Sequence, residues 1–259
     1  MADKTRFLLT SLLDTVTVTA SSTTTGLAVA NVQNNLIRKV YRSTAKISEW
    51  VKFDAGDSIG INCFFIGNHN LTDAAVVRWQ GHATDLWTSP TLNTTLNVSV
   101  DTLSDEIPRM MYFYVATQSY RWWRFKVQDS GNPDGYIQIG RIMAGMYTEP
   151  TINMSDGFER RMIDPSRGII TKGRQSYWTT RTPYWEYTYR VGLSAIAQQD
   201  QLSAIFNQVG LHTGFALALS PDSRPTRDSI YCQFANEPRF VQRVTDAADI
   251  EEVVFTEKN

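Results

Sequence analysis

Trp122, Trp123, Tyr177, Trp178, Tyr184, Trp185, Tyr187 and Tyr189 fall in two short stretches, and rings spaced in this way could stack against a sugar or a nucleobase. The same rings could instead fill a core and a subunit interface. Adjacent Trp122 and Trp123 sharpen the choice, because neighbours on a regular strand point to opposite faces. One of the pair is then core, and the other is covered by a second layer or exposed at an interface. Core plus subunit interface is the main reading, with Trp122, Trp123, Trp178, Tyr184 and Trp185 as candidates for interface or ligand platform.

Other chemistry is sparse. Asp129, Asn132 and Asp134 offer oxygen atoms that could ligate calcium at a turn, although turn formation alone explains the same residue types. Asp101, Asp105 and Glu106 could do acid–base work on a glycoside, but they lie in a polar stretch with no flanking aromatic platform, so a solvated loop is the better reading. His69, His82 and His212 are too scattered for a metal site or a triad. There is no G-x-S-x-G elbow and no phosphate-cradling glycine motif. These observations lead to the expectation of no catalytic residue, no metal, no cofactor and no enzyme activity.

The elements that must position these residues are mostly short strands. Thr15–Ala20 alternates β-branched residues, Glu49–Asp54 sets Trp50 or its neighbours Val51 and Phe53 against a core, and Ile59–Ile66 is nearly continuous in apolar character, as a central strand would be. Ala75–Gln80 follows a turn at residues 67–70, and residues 85–108 read as a long loop with one weak strand. Tyr120–Gln128 and Tyr136–Met143 read as the two arms of a hairpin across Asp129–Gly135, with Ile137, Ile139 and Arg141 on one face of the second arm. Residues 151–172 read as a connector, and Gln175–Gly192 as an aromatic strand or strand pair broken at Pro183. Leu193–Val209 has the spacing of a helix, stopped by Gly210. Further strands are expected near 215–219, 230–234, 240–244 and 253–255. The resulting architecture is mainly β, with a boundary near residue 150 separating 1–150 from a β-rich 151–259 that holds the one helix.

The 259 residues suffice to bury a core, and 42% hydrophobic against 20% charged is a globular composition. A formal charge of −1 gives no global field toward nucleic acid or an anionic membrane. Locally, Arg160, Arg161, Arg167, Lys172 and Arg174 are interleaved with Asp156, Glu159 and Asp164, so no basic stripe for nucleic acid forms. No run approaches the roughly 18 apolar residues of a membrane helix, and the N-terminus lacks the pattern of a signal peptide, so a cytoplasmically made chain without membrane insertion is expected. Cys63 and Cys232 sit in apolar strand-like settings and read as buried free thiols, with a disulfide left open.

Several blocks carry a family likeness: Leu12-Leu13-Asp14, Val18 to Ser22, Gly26 to Gln33, Tyr41 to Thr44, Glu49 to Asp54, Phe65 to Leu71 with Ala75 to Arg78, and above all Tyr120 to Phe125 with Asp129 and Asn132 to Ile142. In this order they resemble tail-associated domains of tailed bacteriophages, which are similar to the discoidin (coagulation factor 5/8 type C) jelly-roll sandwich. The likeness covers about residues 12–147. It implies a discoidin-like β-sandwich at the N-terminus and a structural virion component of the tail tip or baseplate, partnered by other tail proteins and by copies of itself. Because such sandwiches also host sugar binding, the alternative is an adhesin module that recognises host surface glycan. The resemblance itself maps no sugar-binding set onto this chain.

Overall fold

The computed structural model describes residues 4–96, 98, 109–151, 158–224, 228–244 and 247–258. The fold is mainly β with one helix, as the sequence pattern leads one to expect. The strands are β1 (Arg6–Leu8), β2 (Val18–Ala20), β3 (Tyr41–Arg42), β4 (Glu49–His69), β5 (Val76–His82), β6 (Leu92–Leu96), β7 (Arg109–Gln128), β8 (Gln138–Gly145), β9 (Phe158–Ile163), β10 (Arg167–Ile170), β11 (Ser176–Thr179), β12 (Tyr184–Ala195), β13 (Phe215–Ala218), β14 (Ser229–Phe234), β15 (Phe240–Val244) and β16 (Ala247–Glu257). The helix α1 spans Ile196–Val209.

The chain forms two units. The first holds residues 1–149 and takes back Phe215–Tyr231; the second holds 150–214 and 232–259. A single boundary near 150 therefore describes only the first crossing, because β13 and the start of β14 return to the first unit.

In the first unit the strands run β3-β8-β4-β7-β5-β6, with β2 on the flank of β4. The two segments expected at Glu49–Asp54 and Ile59–Ile66 are the ends of one long strand. Between them the register slips, and Gly56 takes a φ of 81° while its N–H donates to Asp54 Oδ1 at 2.8 Å. A second slip lies between Ile61 and Cys63. A slip of one residue exchanges the two faces of a strand. Val51, Phe53 and Ile61 thus share a core with Phe64 and Ile66, whereas Cys63 and Phe65 turn to the opposite side. Phe64 stacks on Trp79 of β5 at 4.8 Å, so the bent sheet closes on its own core.

The opposite side is covered as well. Leu8, Ile37, Cys63, Phe65, Met111 and Met143 pack with Ala216, Ala218 and Tyr231 of the returning segment. Burial on both faces explains why Ile59–Ile66 is apolar almost throughout. Both cysteines are buried, and neither forms a disulfide.

The hairpin expected across Asp129–Gly135 does not form. β4 lies between β7 and β8 and pairs with both, so residues 129–137 arch over β4 instead of turning back beside β7. Turn chemistry dictates that the chain reverses, not which strand it meets next; β4 gains most from the central place because both its faces are apolar.

In the second unit β9 pairs β12, and β12 pairs β16. The end of β14 and all of β15 pair with the other side of β16. The expected connector 151–172 thus contains β9 and β10, with residues 152–157 outside the described part. Helix α1 buries Leu202, Ile205 and Val209, and it ends where Gly210, at a φ of 57°, donates its N–H to the Phe206 carbonyl. β10 and β11 pair only with each other among the described residues.

Candidate functional site

The outer face of β4, β7 and β5 follows from which residues point inward. Val51 and Phe53, Trp123, Phe125 and Val127, and Val77 and Trp79 all enter the core. Alternation then turns Trp50, Lys52 and Asp54, Trp122, Arg124 and Lys126, and Arg78, Gln80 and His82 outward. Register sets them in rows. Lys52 lies opposite Arg124, Arg124 opposite Gln80 and Gln80 opposite Asn93; in the next row Asp54 lies opposite Trp122 and Trp122 opposite His82.

The segment after β5 brings two further side chains over this face. Asp85 accepts from Lys52 Nζ at 2.7 and 2.5 Å, and the Trp87 indole N–H donates to Asp85 Oδ1 at 2.5 Å. The Trp87 ring covers the Arg124 guanidinium at 4.3 Å, and Arg124 Nε donates to Gln80 Oε1 at 2.7 Å. Gln80 in turn donates to Asn93 at 2.9 Å. Lys52 Nζ sits 5.2 Å from the Trp50 ring and 5.5 Å from the Trp122 ring. At the rim, Arg121 makes a two-pronged pair with Asp54 at 2.8 and 2.7 Å, and His82 Nδ1 lies 2.8 Å from Thr91 Oγ1.

Neighbouring charges and burial act in opposite directions on this face. Partial burial pushes the Asp85 carboxyl up, but the hydrogen bonds from Lys52 and Trp87 and the nearby Arg124 charge outweigh this, and it lies below its ordinary value. Burial lowers Arg124. Arg121 holds Asp54 down. Arg124 and Gln80 are buried even though their strands point them outward, because Trp87 and its loop roof them. Trp50, Trp87 and Trp122 stay half-exposed. The face therefore offers three indole surfaces and several oriented donors and acceptors that side-chain pairs keep in place.

The sequence candidates separate between the two units. Trp123 is fully buried, stacked on Trp79 at 5.6 Å, and is core; Trp122, its neighbour on the opposite face, belongs to the outer surface. Tyr184 and Trp185 are half-buried on β12, with the Arg160 guanidinium 3.9 Å from the Trp185 ring. Trp178 is 64% exposed on β11.

Asp129, Asn132 and Asp134 form a polar knot at the foot of the arch. The Asp129 carboxylate accepts from the Thr72 N–H at 2.8 Å, the Thr72 hydroxyl at 2.7 Å and Asn132 Nδ2 at 3.3 Å. Asn132 also donates to the Asn70 carbonyl and accepts from the Asp134 N–H, and Asp134 accepts from Asn70 Nδ2. Protein N–H and O–H groups thus occupy the Asp129 oxygens, an arrangement that locks the arch to the β4–β5 turn and does not suit a cation. Among the described residues no group of three or more His, Cys, Asp or Glu is placed to hold a metal. Asp101, Asp105 and Glu106 lie outside the described residues.

Sequence reading left out Lys52, Gln80, Asp85, Trp87 and Arg124, and left Trp50 undecided between core and surface. The signal for Trp50 was local: once Val51 and Phe53 are both inward, Trp50 must face out. Nothing local announces the roof, because Trp87 covers Arg124, 37 residues away in sequence, and Asp85 pairs with Lys52, 33 residues away.

No protein-family model matches the chain, and no curated protein matches it. Solved structures with partial likeness include a chitosan-binding module of a chitosanase/glucanase from Paenibacillus sp. IK-5, at 15% identity and TM-score 0.42 over 52% of this chain and 98% of that one. Another is the family 32 carbohydrate-binding module of NanJ from C. perfringens in complex with galactose, at 8% identity and TM-score 0.41 over 54% and 98%. The lectin-binding domain of lectinolysin complexed with Lewis b shows 11% identity and TM-score 0.40 over 52% and 94%.

Proposed function

We propose that this is a non-enzymatic binding protein whose first unit recognises carbohydrate through the outer face built from Trp50, Lys52, Asp85, Trp87 and Trp122, with the buried Arg124 supporting Trp87 from beneath. The observation that carries the reading is the set of half-exposed indoles on a sheet face, interleaved with ion pairs and amides already fixed in position. A pyranose presents an apolar C–H face and a rim of hydroxyls. The first suits an indole ring, and the second suits a fixed carboxylate, ammonium and imidazole. Because Lys52 is held by Asp85, and the Trp87 that binds Asp85 lies over an Arg124 held by Gln80, a ligand meets a surface that needs little further ordering, which lowers the cost of binding.

A glycan array probed with the full chain tests this. Expected is binding to a subset of glycans, lost at least about tenfold in Trp122→Ala and Lys52→Ala and kept in Trp178→Ala, a loss of about 1.4 kcal/mol or more. Absence of any glycan ligand, or equal binding by all three variants, would overturn the reading.

A further inference from the structure

On the outer face of the first unit, the row beside Lys52 and Arg124 runs Trp50, Lys126, Arg78 and Thr95, each opposite the next on β4, β7, β5 and β6. Their neighbours in sequence fix the direction. Val51, Phe125, Val127 and Val77 are core, so alternation turns this row outward. Trp50 and Lys126 are half-buried, and Arg78 and Thr95 are exposed. Two strand spacings, about 10 Å, separate Trp50 from Arg78, with Lys126 between them.

Charge is divided unevenly over this face. At one end Asp54 pairs with Arg121, which also lies near Asp57, and in the middle Asp85 pairs with Lys52. The row of Trp50 has no carboxylate. Lys126 is surrounded by Trp50 and Lys52 on β4, by Val76, Arg78 and Gln80 on β5, and by Arg124 and Gln128 on its own strand; none is acidic. Neither Lys126 nor Arg78 forms an ion pair among the described residues. Like charges directly opposite on neighbouring strands repel and destabilise a sheet. An anion placed between them turns that repulsion into two attractions.

We propose that this row is the acid-reading part of the carbohydrate surface, so that the ligand class is an acidic glycan, one bearing a carboxylate or a sulfate. The sugar ring stacks on Trp50, and its anionic group lies between the Lys126 ammonium and the Arg78 guanidinium. Arg78 brings a planar fork that suits a two-pronged contact with such a group, and Lys126 brings a compact charge. Lys52 does not take this role, because Asp85 already neutralises it. This ligand class rests on the carbohydrate reading and narrows it.

The test is calorimetric titration of the full chain with matched ligands at one salt concentration. A uronic-acid oligosaccharide is compared with its carboxyl-reduced form, and a sulfated oligosaccharide with its desulfated form. Expected is binding at least about tenfold tighter for a charged form than for its neutral counterpart; the pair that shows it identifies the acid group read. In Lys126→Gln with Arg78→Gln this preference is expected to vanish, with affinity for the neutral form unchanged. In Lys126→Arg with Arg78→Lys it is expected to persist. The Gln variant is expected to unfold at the wild-type temperature or above it, since a repulsion is relieved; a lower temperature would assign the pair to the fold and overturn the proposal. Equal affinity for charged and neutral forms, or a preference that the Gln variant retains, would overturn it while the carbohydrate reading stands. Failure of every glycan to bind would remove both. Inorganic polyphosphate bound as tightly as the acidic glycan would make the row a general anion patch and overturn the proposal.

Discussion

Two stretches of this chain are built from the same ingredients, tryptophan, tyrosine and arginine on β-strands, and end in opposite situations. Around Tyr120–Phe125 the strand lies inside a wide sheet, Trp123 is core, and Trp122 has Lys52 and Arg121 beside its ring. Around Ser176–Thr179 the strand has a single partner, and all four of its residues are exposed. The first arrangement is a supported surface, with its side chains already held in place by their neighbours. The second is an unsupported surface whose large apolar side chains stand open to solvent. Aromatic composition does not separate the two; the number of neighbouring strands does.

Truncation at matched residues breaks the comparison most sharply. Trp123→Ala is expected to cost about 3–5 kcal/mol in denaturant unfolding, because it opens a cavity against Trp79 and Tyr120. Trp178→Ala is expected to stay within about 0.5 kcal/mol. Similar losses in the two variants would mean that β11 is packed after all.

Acid titration gives the next largest effect. Burial lowers His69, at the end of β4, to about 4. In the unfolded chain a histidine titrates near about 6.5. Below that value the unfolded state takes up a proton that the folded state resists. The contribution to stability is therefore complete above pH 6.5 and is lost as pH falls toward 4, by on the order of 3 kcal/mol. Equilibrium unfolding at stepped pH is expected to show this slope in the wild type and a flatter one in His69→Gln; identical slopes would remove His69 as the cause.

A smaller effect is expected at the foot of the arch. Asp129→Ala strands the Thr72 N–H and hydroxyl and is expected to cost about 1–3 kcal/mol. Thermal unfolding is expected to be the same in millimolar calcium and in EDTA. A clear calcium-dependent rise in Tm would show that the knot holds a cation.

Much of the fold was legible because strands announce themselves locally. Ile59–Ile66, Ala75–Gln80 and Tyr120–Gln128 all fall within observed strands or within a residue of one, and the helix stops at Gly210 as its spacing indicates. Pairing was not legible. The turn-rich Asp129–Gly135 reads as a hairpin, yet the chain arches over β4, because the winning contacts of β8 come from residues 70 to 82 positions away. The return of Phe215–Tyr231 to the first unit is hidden for the same reason: a buried apolar strand carries no address. At the candidate site the Trp122–Trp123 alternation correctly implied opposite faces. The roof of Asp85 and Trp87 stayed unread, since a carboxylate and an indole in a polar loop look the same whether or not they meet Lys52 and Arg124.

The indole N–H signals of the seven tryptophans offer the most direct test of the carbohydrate site. In ¹H–¹⁵N spectra, titration with a glycan taken from the array is expected to shift Trp50, Trp87 and Trp122, with Trp178 and Trp185 unmoved. Shifts confined to Trp178 and Trp185, or none at saturating glycan, would contradict a binding surface on the outer face of β4, β7 and β5.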